Sequence, residues 1–267
     1  MKFSAMLLLR EVKPLSISQI QSELTRIAPQ ARFGDWASAP ELNASSGTST
    51  IVIDDEPMSV VVVSNPAEVT IVEREHFANH IWTNAEADAA EHTAYFLIAA
   101  TRDTVDQTGL LKQARAVTLL AAVIARLVPC IGIKWVDGSN CMEARQFVDL
   151  TKNIGQPDRN VVPLWVRIMH YKTPEGTIGG TLGLHYFGFA DLEYATGSLD
   201  LGTVMSHAYL TAEMLLRSGK PLPEGKIEIE GQSDAFKLSY KREGGIFVPH
   251  AVAYISTSSG KKNWWKW

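Results

Sequence analysis

The chain has 267 residues, of which 46% are hydrophobic and 20% are charged, and its formal net charge is −4. This composition is typical of a globular protein with a sizeable core, and the small net charge argues against the concentrated basic face of a nucleic-acid-binding protein. Two cysteines, Cys130 and Cys141, exclude a disulfide framework and favour reduced thiols in a cytoplasm.

The N-terminal residues predict a buried strand followed by a helix. Residues 3–9 are continuously apolar, and the run ends at Arg10 without the small-residue cleavage site of a signal peptide. Ser16 or Ser18 is expected to cap the helix that follows, because Ile20 and Leu24 begin an apolar face at helical spacing.

The rest of the first half predicts strands and helices in an irregular order. Residues 31–47 are small and polar, which indicates an irregular loop. The predicted strands cover residues 51–53, 58–63, 92–100 and 130–136, and the predicted helices cover residues 73–82, 109–128 and 144–152. The apolar part of the second helix, residues 114–128, is too short to span a bilayer.

The second half is organised around residues 179–198, which read GGTLGLHYFGFADLEYATGS. Aromatic and branched side chains from 181 to 189 predict a central strand, with Gly183 and Gly188 as bulges or points of close backbone approach. Residues 164–171 predict a preceding strand, joined to it by a turn at 172–176. A helix at 199–216 and strands at 227–229, 236–240 and 250–255 follow.

Strands and helices do not alternate regularly, so the sequence predicts an α+β fold rather than a doubly wound sheet. We expect two mixed or antiparallel sheet-plus-helix halves, residues 1–155 and 161–267, separated by the GQPDRN segment at 155–160. The halves are candidates for distant structural duplicates, and packing of both as one domain is the open alternative.

The run TLGLHYFGFADLEY at 181–194, followed by Ser198 and a predicted helix, resembles the C-terminal signature of a bacterial family known as domain of unknown function 4261. That signature has a Gly-Leu, a Phe-Gly and an acidic Leu-Glu shortly before a Ser. Residues 60–66, 77–82, 92–99 and 131–135 are also similar to the family. The resemblance covers most of the chain and implies a family rather than an activity.

Four residues near the end of the predicted central strand are candidates for binding a ligand: His185, Tyr186, Asp191 and Glu193. Asp191 and Glu193 share a strand face, and His185 with His170 across the hairpin would complete an acid–base site. The favoured alternative is a core histidine bonded to backbone, with both carboxylates in a surface turn. No catalytic residue is assigned, because no nucleophile has a recognisable place.

A second pair of histidines, His76 and His80, lies four residues apart on the predicted helix 73–82. Their imidazoles would share a face and are weak candidates for zinc ligands. The zincin motif requires Glu directly after the first His, where this chain has Phe77, so a solvated face is the alternative. We therefore assign neither a metal nor a cofactor from the sequence.

The C-terminal residues interleave lysines with Trp264, Trp265 and Trp267. Such a tail could stack on nucleic acid or lie at a membrane interface. Docking onto the protein's own surface, or onto a second copy in a homodimer, is the favoured interpretation, and neither nucleic acid nor membrane is expected as a partner.

Without a catalytic constellation or a cofactor loop, the sequence predicts a non-enzymatic cytoplasmic protein that binds another protein. The concrete hypothesis is an immunity protein that neutralises a cognate secreted bacterial toxin, because acidic charge steers a protein toward basic partners. The alternative is a small-molecule enzyme or a ligand-binding domain with its site around residues 179–193.

Overall fold

The computed structural model describes residues 3–37, 41–43, 48–64, 82–152, 154, 161–173, 176–195, 199–227 and 236–257. The chain divides into two compact units, Met1–Trp165 and Val166–Trp267. Each unit combines a sheet with helices, so the predicted α+β class is confirmed. The predicted separator at 155–160 lies outside the described residues.

Unit 1 is built on an antiparallel sheet with β1 near its middle. Its elements are β1 (Ser4–Leu9), β2 (Leu15–Ser16), α1 (Ile17–Ile27), β3 (Phe33–Ala37), β4 (Glu41–Leu42), β5 (Thr48–Ile53), β6 (Glu56–Ser64), α2 (Ala85–Ala90), β7 (Ala94–Ala100), α3 (Gln107–Leu127), β8 (Cys130–Trp135), β9 (Asn140–Glu143), α4 (Ala144–Thr151) and α5 (Val162–Trp165). Within the described residues the sheet order is β3-β5-β6-β7-β1-β8-β9.

Helices α1, α3 and α4 form where the sequence predicts them, while the predicted helix at 73–82 lies, apart from Trp82, outside the described residues. Helix α3 contacts β1, β6, β7 and β8 and is buried along most of its length, because its apolar residues repeat at helical spacing. Ser16 caps α1: its hydroxyl accepts the N–H of Gln19, and the Gln19 side chain accepts the N–H of Ser16. The structure therefore selects Ser16 over Ser18 as the capping residue.

The irregular loop predicted at residues 31–47 is wrong in part. Residues 31–47 are not an irregular loop throughout, since they contain β3 and β4. Strand β3 lies at the sheet edge and pairs only with β5 among the described strands. An edge strand is held by backbone hydrogen bonds along one side, so it needs little of the apolar alternation that reveals a buried strand in a sequence.

In the part of unit 2 that the structure describes, one α-helix packs against a mixed sheet. Its elements are β10 (Arg167–Thr173), β11 (Gly176–Leu182), a 3-10 helix (Leu184–Phe187), β12 (Asp191–Ala195), α6 (Leu201–Ser218), β13 (Gly225–Ile227), β14 (Phe236–Lys241) and β15 (Val252–Thr257). The sheet order among the described strands is β10-β11-β12-β15-β14-β13, and β12 runs parallel to β15 while the other neighbours are antiparallel.

Helix α6 covers one face of this sheet. It contacts β10, β11 and β12, and its Val204 lies against Gly179 so closely that no Cβ would fit at that glycine. The Tyr194 hydroxyl lies 2.5 Å from Oγ1 of Thr211 in α6. Leu192 and Tyr194 of β12 therefore point toward the helix, which leaves Asp191 and Glu193 on the opposite face.

The predicted central strand at 181–189 is wrong, although the hairpin before it is confirmed by the pairing of β10 with β11. Strand β11 ends at Leu182, and the aromatic residues that follow form a 3-10 helix. Gly183 and Gly188 flank that helix with φ angles of 125° and 83°. These backbone angles favour glycine and turn the chain out of the strand. The strand predicted at 164–171 also starts later, at Arg167, because α5 occupies its first two residues.

Candidate metal centre

Strand β12 buries two carboxylates on the sheet face that points away from α6. The side chain of Asp191 is 0% exposed and that of Glu193 is 1% exposed. Their predicted common face is confirmed, but their predicted place in a surface turn is wrong. Strand β12 lies between β11 and β15, and the β14–β15 loop, residues 242–251, contacts both carboxylates.

Two histidines contact one oxygen of Asp191. Nδ1 of His185 lies 2.6 Å from Oδ2, and Nε2 of His250 lies 2.8 Å from the same atom. The centres of the two imidazole rings are 3.9 Å apart. The side chains of His185 and His250 retain 27% and 31% of their exposure, so solvent reaches both rings. The expectation that His185 is a core histidine bonded to backbone is wrong, because its ring contacts a buried carboxylate.

The other oxygen of Asp191 is held by the surrounding backbone and a hydroxyl. Oδ1 accepts hydrogen bonds from Oγ1 of Thr181 at 2.9 Å and from the N–H of Leu184 at 3.0 Å. Burial by itself would raise the pKa of Asp191, but the hydrogen bonds from His185, His250 and Thr181 hold that pKa below its usual value. The carboxylate is thus both fixed in orientation and ionised at neutral pH.

Three separate segments bring these side chains together. The 3-10 helix between Gly183 and Gly188 carries His185, the first residue of β12 is Asp191, and the end of the β14–β15 loop carries His250. The pairing of Asp191 with Val252 in the parallel ladder brings the end of that loop beside the carboxylate.

Of the four predicted ligand residues, the structure brings His185 and Asp191 into direct contact. The Tyr186 ring lies 4.0 Å from the ring of its neighbour His185. Glu193 instead accepts the N–H of Ile246 on its Oε2 atom at 2.6 Å. Burial raises the pKa of Glu193, while that hydrogen bond and the nearby Lys241 lower it, and burial prevails.

Sequence reasoning missed His250 and Thr181, and it chose the wrong partner for His185. His170 is exposed and pairs across the hairpin with Gly179, whereas the histidine beside His185 is His250. A usable signal was the segment GGIFVPH at 244–250, since a glycine pair and a proline indicate a shaped loop that ends on a histidine directly before a strand.

The three side chains fit a divalent transition metal. One potential ligand atom from each of His185, Asp191 and His250 lies within 4.8 Å of the others, and imidazole and carboxylate groups are ordinary ligands of zinc and iron. The separations of 2.6 and 2.8 Å are hydrogen-bond distances, so each imidazole N–H donates to Oδ2 when no cation is bound. A bound cation would take the place of these two protons.

Without a metal, the same contacts resemble the carboxylate-oriented imidazoles of acid–base sites. The other predicted candidates for metal binding, His76 and His80, and the predicted interaction residues Trp264, Trp265 and Trp267 lie outside the described residues.

Comparisons of the chain with protein-family models, with curated proteins and with solved structures found no match. A search of the helices in the described ranges found none with the length and apolarity needed to cross a membrane.

Proposed function

We propose that unit 2 binds one divalent transition-metal ion through Nδ1 of His185, Oδ2 of Asp191 and Nε2 of His250. One observation carries this proposal: three atoms that can each ligate a cation lie within 4.8 Å of one another, although His250 is 59 residues from Asp191 in the chain. Two imidazoles and one carboxylate are a ligand set used by zinc and by non-haem iron(II).

The surroundings of Asp191 support this function. Metal ligands work in their deprotonated form, and the lowered pKa of Asp191 keeps its carboxylate ionised at neutral pH. Thr181 and the N–H of Leu184 hold Oδ1, so Oδ2 is directed at the two imidazoles. Hydrogen bonds of this kind to a ligating group orient it and raise the affinity of the site.

The partial exposure of both imidazoles favours a small-molecule site over a purely structural metal site. Three protein ligands leave a coordination position for water or for a small molecule, as in catalytic zinc sites, whereas structural zinc sites use four protein ligands. The proposal therefore follows the alternative from the sequence, a small-molecule enzyme or ligand-binding domain with its site around residues 179–193. A bound metal would supply Lewis acidity there.

The direct test is metal titration of the full chain. Protein freed of metal by a chelator and then dialysed is titrated with Zn²⁺ and with Co²⁺ in a calorimeter, and the absorption spectrum of the Co²⁺ form is recorded. We expect one ion per chain. His185→Ala and His250→Ala should each weaken binding by more than the roughly 10–100-fold that loss of an outer-sphere partner costs.

Two control variants make the result specific. His170→Ala removes an exposed histidine of unit 2, and the double variant His76→Ala with His80→Ala removes the other pair predicted from the sequence. Both should bind metal like the unaltered chain. Absence of binding by the unaltered chain, or loss of binding in the double variant alone, would overturn the proposal. An acid–base role for the hydrogen-bonded cluster would then be the remaining candidate function.

A cytoplasmic, immunity-type protein that binds a toxin stays a prediction from the sequence. It is compatible with a metal site in unit 2, and co-purification of the chain with a toxin-like protein from its native cytoplasm would test it. Recovery of the free chain alone would count against it.

A further inference from the structure

We infer that Glu193 is a positioning residue that anchors the β14–β15 loop and thereby holds His250 against Asp191. This inference rests on the metal site proposed above, because it concerns how one ligand of that site is kept in place. Its starting point is that Glu193 and Asp191 lie on the same face of β12, two residues apart and therefore about 6.6 Å along the strand.

Glu193 contacts the loop through the loop's backbone. Its Oε2 atom accepts the N–H of Ile246 at 2.6 Å, and its side chain is 1% exposed. A buried hydrogen bond from a backbone N–H to a carboxyl group is stronger and more directional than one in water. The contact lies four residues before His250, so it fixes the loop shortly before the ligand.

The loop is shaped to lie flat on this face of the sheet. Gly245 approaches Oε2 of Glu193 so closely that a Cβ at this glycine would overlap with it. Gly244 has a φ of 98°, and the N–H of Gly245 donates to the carbonyl of Val248 at 2.9 Å, which closes a turn. The Phe247 ring of this loop lies over Gly180 of the neighbouring strand β11, where a Cβ would be 2.6 Å from the ring.

A role in stability alone would not require a carboxyl group at position 193. The second oxygen, Oε1, is buried, and its hydrogen-bonding capacity is unsatisfied within the described residues. A buried polar atom without a partner destabilises the fold relative to an apolar side chain of similar shape. The hydrogen bond that the carboxyl group accepts from Ile246, which anchors the loop, therefore best explains a carboxyl group at this buried position.

The test compares four variants of the full chain. Glu193→Ala removes the acceptor, Glu193→Gln keeps an oxygen that can accept the Ile246 N–H, and Gly245→Ala displaces the loop while leaving the carboxyl group in place. Glu243→Ala, an exposed carboxylate in the same loop, is the matched control. Two quantities are measured: amide hydrogen exchange of residues 244–250 in metal-free protein, and the dissociation constant for Zn²⁺.

Glu193→Ala and Gly245→Ala should speed exchange in residues 244–250 relative to the rest of unit 2 and weaken Zn²⁺ binding by roughly 10–100-fold. Glu193→Gln and Glu243→Ala should stay near the unaltered chain in both measurements. Rescue by Gln separates positioning from a charge effect, and Gly245→Ala keeps the test valid if Glu193→Ala fails to fold.

The two proposals fail in different ways. If the unaltered chain binds no metal, the metal site is wrong, while the exchange measurement still reports whether Glu193 anchors the loop. If the unaltered chain binds Zn²⁺ and neither Glu193→Ala nor Gly245→Ala changes the exchange or the affinity, the role inferred for Glu193 is overturned.

Discussion

The hydroxyl of Thr181 joins two neighbouring strands at the candidate site by donating to Oδ1 of Asp191 at 2.9 Å and accepting the N–H of Leu192 at 2.8 Å. Both contacts are buried, and Thr181 is 0% exposed. A threonine at the end of β11 thus fixes the carboxylate that both histidines contact.

Thr181→Val is therefore expected to weaken the site as well as the fold. Valine keeps the shape of threonine but leaves a buried carboxylate oxygen and a backbone N–H each short of a partner, which costs about 1–3 kcal/mol. We expect this loss in urea unfolding, together with a roughly 10–100-fold weaker affinity for Zn²⁺.

The control for this variant is Thr177→Val, on the same strand and half-buried. It should change the metal affinity little. Equal Zn²⁺ affinity of Thr181→Val and Thr177→Val would show that the hydroxyl of Thr181 does not orient the carboxylate.

A second prediction concerns the positive φ of 83° at Gly188, which ends the 3-10 helix. A Cβ at this position would meet no atom within 4 Å, so substitution adds backbone strain without a clash. Gly188→Ala should cost about 1–2 kcal/mol of unfolding free energy, and Gly188→Asn should cost less, because asparagine tolerates left-handed angles better. Urea unfolding of the two variants measures this order. Equal stability of Gly188→Ala and the unaltered chain would contradict the positive φ at Gly188.

Local sequence patterns predict most of the elements of the fold, but they do not predict this turn. Helices α1, α3 and α6 and strands β1, β7 and β8 follow from local patterns, since their apolar residues repeat at the helical period or form strand-length runs. The aromatic run at 184–187 has the composition of a strand, but the backbone angles of Gly183 and Gly188 decide its conformation. A glycine in a sequence is compatible with either outcome, so composition alone could not distinguish them.

The sequence predicts only two of the three residues of the candidate metal centre, and the reason is a different one. His185 and Asp191 are six residues apart and could be grouped by inspection, whereas His250 lies 59 residues beyond Asp191. Their meeting depends on the parallel pairing of β12 with β15, which brings together strands separated by α6, β13 and β14. Strand order of this kind is set by tertiary packing and leaves no local pattern.

A third prediction concerns the pH dependence of stability in unit 1. Glu23 of α1 accepts hydrogen bonds from Nη2 of Arg26 at 2.5 Å and from Nε of Arg126 in α3. The hydrogen bond from Arg26 is the largest influence and lowers the pKa of Glu23, burial opposes it, and Arg126 lowers the pKa further. The folded state therefore binds the proton less tightly than the unfolded chain, whose glutamate pKa is about 4.3.

Stabilisation by Glu23 should be fully present above about pH 5 and disappear as the pH falls through the lowered folded pKa. Glu23→Gln should thus be less stable than the unaltered chain at pH 7 and equally stable near pH 2, as measured by urea unfolding across this range. Glu91→Gln, which removes an exposed ion pair with Arg10, is the control and should differ little from the unaltered chain. A constant difference between Glu23→Gln and the unaltered chain at all pH values would contradict the ionic role of Glu23.

The last prediction uses the adjacent glycines of β11, whose missing side chains would point to opposite faces of the sheet. A Cβ at Gly179 would overlap with Val204 of α6, and a Cβ at Gly180 would overlap with Phe247 of the β14–β15 loop. Gly179→Ala should therefore disturb the packing of α6, while Gly180→Ala should disturb the loop that carries His250. Overpacking of this kind costs about 1–3 kcal/mol, so both variants should lose stability to a similar degree.

The two glycine variants should differ in metal binding. Gly180→Ala should weaken Zn²⁺ binding, and a second substitution, Phe247→Leu, should restore part of the affinity by making room for the added methyl group. Gly179→Ala should keep most of the affinity, and Val204→Ala should restore its stability instead. If Gly179→Ala weakens Zn²⁺ binding as much as Gly180→Ala does, the Zn²⁺ affinity depends on the stability of unit 2 as a whole and not on the position of the β14–β15 loop.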